Sequence, residues 1–202
     1  YHYISDNKKK HRIISRKISY HGATLGALSA TSFLVRTRAF EPLLLDFPKV
    51  NAAYPYRSDD DELDLGVQLA QEFEQTIKNE DADTISAFIA EPVVGMAGGA
   101  IVPPSNYMKN IKEICDKYNV LLIFDEIITG FGRTGKMFAT EHWNVEPDIM
   151  TMGKGLTSGY SPLSAVSTSK KINEIFEDSD SAFMHGITYG GHPVSCAAGQ
   201  AS

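Results

Sequence analysis

The sequence predicts an α/β fold, a central and mostly parallel sheet flanked by helices. Two observations carry that expectation. Short apolar runs bounded by turn residues alternate with stretches whose apolar residues recur every three to four positions. Three of the short runs also end in an ionisable residue, as strands do when they deliver side chains to one edge of a sheet. With 202 residues, 43% of them apolar, the chain can bury one domain core and is too short for two ordinary ones.

Taken in order, residues 12–15 form the first strand candidate. Leu63, Val67, Ala70, Phe73 and Ile77 then fall on one face of a helix, and the acidic run 59–62 suits its positive N-terminal end. Residues 85–90 make a second strand. A second helix follows Pro103-Pro104, with Ser105 as its cap and Met108, Ile111, Cys115 and Tyr118 on its apolar side. Residues 120–124 form the most apolar strand, and 148–152 and 163–167 complete the set. A third helix carries Ile172, Ile175 and Phe176 after Ser169, and Pro193 begins a last one.

Composition removes several classes of function. A net charge of -6 argues against a nucleic-acid partner, which needs a basic face. The one basic cluster, Lys8-Lys9-Lys10-His11-Arg12, reads as a solvated loop or helix end. Cys115 and Cys196 lie far apart among small or apolar neighbours and read as reduced thiols of a cytoplasmic protein. No apolar run approaches the ~20 residues of a membrane helix. The N-terminus, Tyr1-His2-Tyr3 followed by charge, lacks a signal peptide's apolar stretch. His185 and His192 lack the spacing and carboxylate company of a metal site, so no metal is expected.

The chemistry gathers at the strand ends. Residues 85–90 run into Glu91, 120–124 into Asp125-Glu126, and 148–152 into Gly153-Lys154-Gly155. In an open parallel sheet those ends share one rim, where ligands bind. Asp125-Glu126 also resembles the magnesium-binding strand end of a P-loop nucleotide hydrolase, and Gly130-Phe131-Gly132-Arg133-Thr134-Gly135-Lys136 resembles its phosphate-cradling loop. Against that, Met137 has no hydroxyl for magnesium, and the loop follows the acidic strand instead of a strand of its own. A lysine between two glycines is ordinarily a solvated loop residue. Here the glycines let the backbone bring the amine against a bulky ring, and desolvation at a strand end makes an amine a better nucleophile. A lysine for the aldehyde and a carboxylate for the ring nitrogen are the two parts that pyridoxal phosphate requires. Lys154 and Asp125 are the candidates, and Glu126 and Arg133 are assigned to loop geometry and ion pairing.

Six segments resemble the class III aminotransferases, in register and over nearly the whole chain. They are Tyr20-His21-Gly22-Ala23-Thr24, Ala90-Glu91-Pro92, Phe124-Asp125-Glu126-Ile127, the Gly130 to Gly135 run, Gly153-Lys154-Gly155 and Thr188-Tyr189-Gly190-Gly191-His192-Pro193. The resemblance implies the large pyridoxal-phosphate domain of a fold-type I enzyme. It implies that Lys154 forms the Schiff base and shuttles a proton, and that Asp125 pairs with the pyridine nitrogen. Tyr20 would stack on one ring face and Ile127 press on the other, with His21 beside the ring supporting Asp125. Thr188 would reach the phosphate held by a second subunit, so a homodimer is expected. Glu91 would lie near the substrate.

The resemblance further implies transfer of an amino group to a keto acid. Gly95-Met96-Ala97-Gly98-Gly99, Gly159-Tyr160-Ser161-Pro162 and Gly186-Ile187-Thr188 are most similar to the ω-amino-acid or amine:pyruvate branch. Nothing in the chain matches that family's upstream phosphate loop or its C-terminal small domain with a carboxylate-binding arginine. Residues 1–202 are therefore expected to be a partial large domain. A non-catalytic fragment of such an enzyme and a nucleotide hydrolase are the alternatives.

Overall fold

The computed structural model describes residues 7–178 and 183–202. Among these residues six strands form one sheet in the order β2-β1-β3-β4-β5-β6. They are β1 (Arg12–Arg16), β2 (Lys49–Val50), β3 (Ile85–Ala90), β4 (Leu121–Asp125), β5 (Ile149–Met152) and β6 (Ala165–Thr168). The first five pair in parallel, and β6 alone runs antiparallel to β5. The two-residue strand β2 was not legible as an apolar run. Neither were the short helices α1 (Leu25–Ala30) and α2 (Leu34–Thr37), which lack a full period of apolar residues.

One face of the sheet is closed by α3 (Glu62–Asn79) and α4 (Tyr107–Lys117). Phe73 and Ile77 of α3 meet Ile111 and Cys115 of α4 over Ile14, Phe88, Leu122 and Phe124 of the strands. The Phe73 and Phe88 rings lie 4.7 Å apart. Alternation along β4 sends Leu122 and Phe124 into this core and leaves Leu121 and Ile123 half-buried on the other face. Two remaining helices, α5 (Lys170–Asp178) and α6 (Pro193–Ala201), follow β6.

Several local expectations need correction. Leu63 and Val67 are exposed, and the buried stripe of α3 runs through Leu65, Leu69, Ala70, Phe73 and Ile77. Helix α3 is capped by Asp61, whose carboxylate accepts from the Leu63 N–H at 3.0 Å. Helix α4 has Asn106, not Ser105, at its N-cap. The Ser105 N–H instead donates to Glu62 Oε1, and Asn106 Nδ2 donates to the Leu63 carbonyl, so this loop serves α3. At the other end Asn119 takes φ 51, the left-handed conformation that terminates helices, and Val120 N–H reaches back to Cys115 O.

The basic cluster is not uniformly solvated. Lys10 is 5% exposed, and its Nζ donates to the carbonyls of Ile85 (2.7 Å), Asn119 (3.1 Å), Ala82 (3.2 Å) and Tyr118 (3.3 Å). An ammonium in that cage ties the beginnings of β1, β3 and β4 together at the edge opposite the carboxylates. Desolvation lowers the Lys10 pKa, partly offset by Asp83. Among the described residues no helix is long and apolar enough to cross a membrane.

Candidate active site

Parallel pairing decides what meets at the rim. Register sets Ala90 beside Phe124 and Asp125 beside Thr151, so Glu91, Asp125 and Lys154 all leave the sheet at its carboxyl edge. Asp125 ends β4 because its own side chain turns the chain: Oδ1 accepts from the Ile127 N–H two residues on, at 3.2 Å. The other oxygen, Oδ2, accepts from His21 Nδ1 at 2.9 Å. The two side chains are 7% and 1% exposed, so their hydrogen bond is shielded from water. A hydrogen on Nδ1 fixes the imidazole's orientation, and its Nε2 is buried without a partner among the described residues.

Glu91 is 3% exposed, and two main-chain groups hold its carboxylate. Oε1 accepts from the Tyr20 N–H at 3.1 Å and Oε2 from the Gly95 N–H at 2.8 Å. The loop that carries Tyr20 and His21 is thereby tied to the end of β3. The His21 N–H donates to Thr31 Oγ1 at 2.9 Å. Neither Thr31 nor the buried Arg16, whose guanidinium donates to the Glu91 carbonyl, was singled out from the sequence. Arg16 follows Ile13-Ile14-Ser15 at the end of β1, and a charged residue at the end of that run was the available signal.

Lys154 opens a 3-10 turn, Lys154–Thr157, directly after β5. It is exposed, not desolvated as the sequence suggested, because it lies on the turn beyond the end of β5, and it holds φ 42, a left-handed conformation that costs a non-glycine residue about 1–2 kcal/mol. The glycines beside it have physical reasons to be glycine. A Cβ on Gly153 would stand 3.0 Å from Ile127 Cδ1, and one on Gly155 would stand 3.1 Å from Phe131 Cβ and 3.3 Å from the Gly130 carbonyl. Ile127 therefore packs against the residue that precedes Lys154. Thr188 stands apart, exposed in the turn at 188–190.

The phosphate-loop alternative does not survive the geometry. The Gly130 to Lys136 segment is followed by a one-turn 3-10 helix, Ala139–His142, and not by a helix whose N-terminus could cradle phosphates. Glu126, the second acid of the pair, is 0% exposed and fully engaged by protein donors. It has no freedom to bind magnesium.

Comparison with known proteins agrees with this geometry. The family model for class-III aminotransferases matches residues 1–202. A protein described as a probable aminotransferase in Mycobacterium tuberculosis is 43% identical over 204 residues, covering 100% of this chain and 44% of the relative. The taurine–pyruvate aminotransferase of Bilophila wadsworthia is 42% identical over 199 residues, covering 96% of this chain and 42% of its own. Among solved structures, an (S)-enantioselective ω-transaminase from Thermomicrobium roseum superposes with a TM-score of 0.92 at 45% identity, covering 97% of this chain and 44% of that one. An ω-transaminase from Pseudomonas jessenii in complex with PMP gives 0.90 at 40% identity, covering 96% and 44%. The chain thus spans less than half the length of these relatives. The match over the whole chain, on a sheet whose carboxyl edge gathers Asp125, His21 and Lys154, makes this chain a member of the class-III aminotransferase family.

Proposed function

We propose that the protein is a pyridoxal-phosphate-dependent aminotransferase that moves an amino group from an amine or ω-amino acid to a keto acid such as pyruvate. The observation that carries this reading is the Asp125–His21 pair at the end of β4, the strand next to the one that leads into Lys154. These residues fit the cofactor. A buried carboxylate steadied by an imidazole suits a protonated ring nitrogen, and the exposed amine on a glycine-flanked turn suits an aldehyde. His21 Nε2, buried and unpartnered among the described residues, is a polar atom that a ligand would complete.

When bound, the cofactor supplies an electron sink for the charge left on the substrate carbon as it loses a proton. Everything else falls to the chain. Lys154 would hold the cofactor covalently and, once displaced by the substrate's amine, would be the free amine that moves the proton at the substrate carbon. Asp125 would pair with the ring nitrogen and favour its protonated form, and His21, donating to Asp125 Oδ2, keeps that carboxylate aimed. Tyr20 and Ile127 would bound the two faces of the ring. Glu91 is the substrate-side carboxylate, its place set by the Tyr20 and Gly95 amides. Thr188 would serve the phosphate held by a second copy, so the working unit in this reading is a homodimer, placed in the cytoplasm. Residues 1–202 belong to its large cofactor-binding domain. The similarity to ω-transaminases and to a taurine–pyruvate enzyme supports an amine donor with pyruvate as acceptor.

Absorbance decides the matter. Mixed with pyridoxal phosphate, the natural full-length protein develops a visible band that survives dialysis and that an amino donor bleaches as pyruvate becomes alanine. Lys154→Ala loses the dialysis-resistant band. Absence of the band in the wild type, or its persistence in the variant, rules this assignment out.

A further inference from the structure

We propose that Glu126 is a positioning residue that holds the Lys154 turn in place by gathering the segment packed against it. The proposal rests on the reading of Lys154 as the cofactor lysine, but its structural half can be tested without the cofactor. Glu126 is fully buried at the end of β4, one residue beyond Asp125. Its Oε1 accepts from the Thr140 N–H at 2.9 Å, and its Oε2 accepts from the Ala139 N–H at 3.1 Å and from the Thr129 hydroxyl. Both donor amides belong to the first turn of the 3-10 helix Ala139–His142. One carboxylate therefore closes the whole excursion between β4 and that helix.

The main chain of Glu126 makes two more ties. Its N–H donates to the Thr151 carbonyl on β5 at 3.0 Å, and its carbonyl accepts from the Gly130 N–H at 2.9 Å. Ile127 and the Gly130-Phe131 pair are thus fixed relative to β5. These are the groups that leave no room for a side chain at Gly153 and Gly155. Lys154, in its left-handed conformation, is bracketed by two glycines that both rest on the segment Glu126 organises. No carboxylate in water would serve this purpose. Buried, with three donors, it is locked in direction.

Two substitutions test the chain of contacts. Glu126→Gln turns one accepting oxygen into a donor facing donors, and Thr129→Val removes one donor while leaving the carboxylate. Amide hydrogen exchange on peptides covering residues 153–157 is the cofactor-independent readout, with a peptide from α3 as reference. Both variants are expected to exchange faster at 153–157, by about fivefold to tenfold for the loss of one buried hydrogen bond, with α3 unchanged. Thr129→Ser, which keeps the hydroxyl, restores wild-type exchange. In the protein loaded with pyridoxal phosphate, Glu126→Gln is expected to shift the pH titration of the visible band and to lower kcat by roughly tenfold to a hundredfold, with a smaller change in KM. Lower thermal stability with unchanged exchange at 153–157 overturns the proposal, in Thr129→Val alone if Glu126→Gln does not fold. A wild type without the visible band sinks the functional reading, while the exchange result still decides the structural one.

Discussion

Asp125 Oδ2 and His21 Nδ1 are joined by a 2.9 Å hydrogen bond across 104 positions of sequence, both side chains almost wholly out of water. A buried carboxylate keeps its charge and direction only while its donors remain. His21→Phe removes one donor and leaves Asp125 with the Ile127 amide alone. The expected cost is about 1–3 kcal/mol of stability, read from the urea midpoint. His21→Asn, whose Nδ2 can also donate, is expected to lose less. Equal stability for the wild type and the phenylalanine variant would remove the structural role given to the pair.

The glycines around Lys154 make a second, steric prediction. Gly155→Ala sets a methyl 3.1 Å from Phe131 Cβ and 3.3 Å from a carbonyl that cannot move aside. Overpacking of this kind costs about 1–3 kcal/mol. Gly26→Ala, where nothing stands within 4 Å and α1 is helical, is the matched control. It should be neutral or slightly stabilising by thermal melting.

Lys10 predicts a large effect far from the site. Lys10→Met strips the ammonium from four buried or half-buried carbonyls. A loss of about 1–3 kcal/mol is expected from chemical denaturation, since those acceptors are left without their shared donor.

Two ionisable groups give stability a pH signature. Lys49 donates to Ser15 Oγ and the Ser29 carbonyl, and burial lowers its pKa from 10.5 to about 8 despite Asp46. Between pH 8 and 10.5 the unfolded chain still binds a proton that the folded chain has released. Stability therefore gains a rising component with pH across that window, which Lys49→Met should abolish. Glu74, held near pKa 2 by hydrogen bonds from Lys117 and Tyr118, gives a slope of the same sign in acid, because there too the unfolded chain binds the extra proton. Its contribution is present above 4.5 and is lost as pH falls toward 2. Acid titration of Glu74→Gln should lack that component.

Much of this was written in local pattern. The strands 85–90 and 148–152 were placed to within a residue, and Asp125, Glu91 and Lys154 were visible as ionisable groups ending apolar runs. Periodicity found α3 and erred on its face, because Leu63 and Val67 lie a fraction of a turn off the buried stripe. The N-cap of α4 was misplaced because Ser105 and Asn106 are both capable caps, and contact with α3 selects between them.

What the sequence by itself determined was the inventory: an α/β chain whose apolar runs each deliver one reactive side chain, with glycines on both sides of the lysine. Tertiary structure alone decided the company those side chains keep. His21 reaches Asp125, Arg16 reaches the Glu91 carbonyl, and Glu126 gathers a loop against Gly155, because strands distant in sequence pair in one register. Propensity and period act over a few residues, whereas a buried hydrogen bond depends on which backbones lie side by side. That is fixed only when the sheet closes over its core.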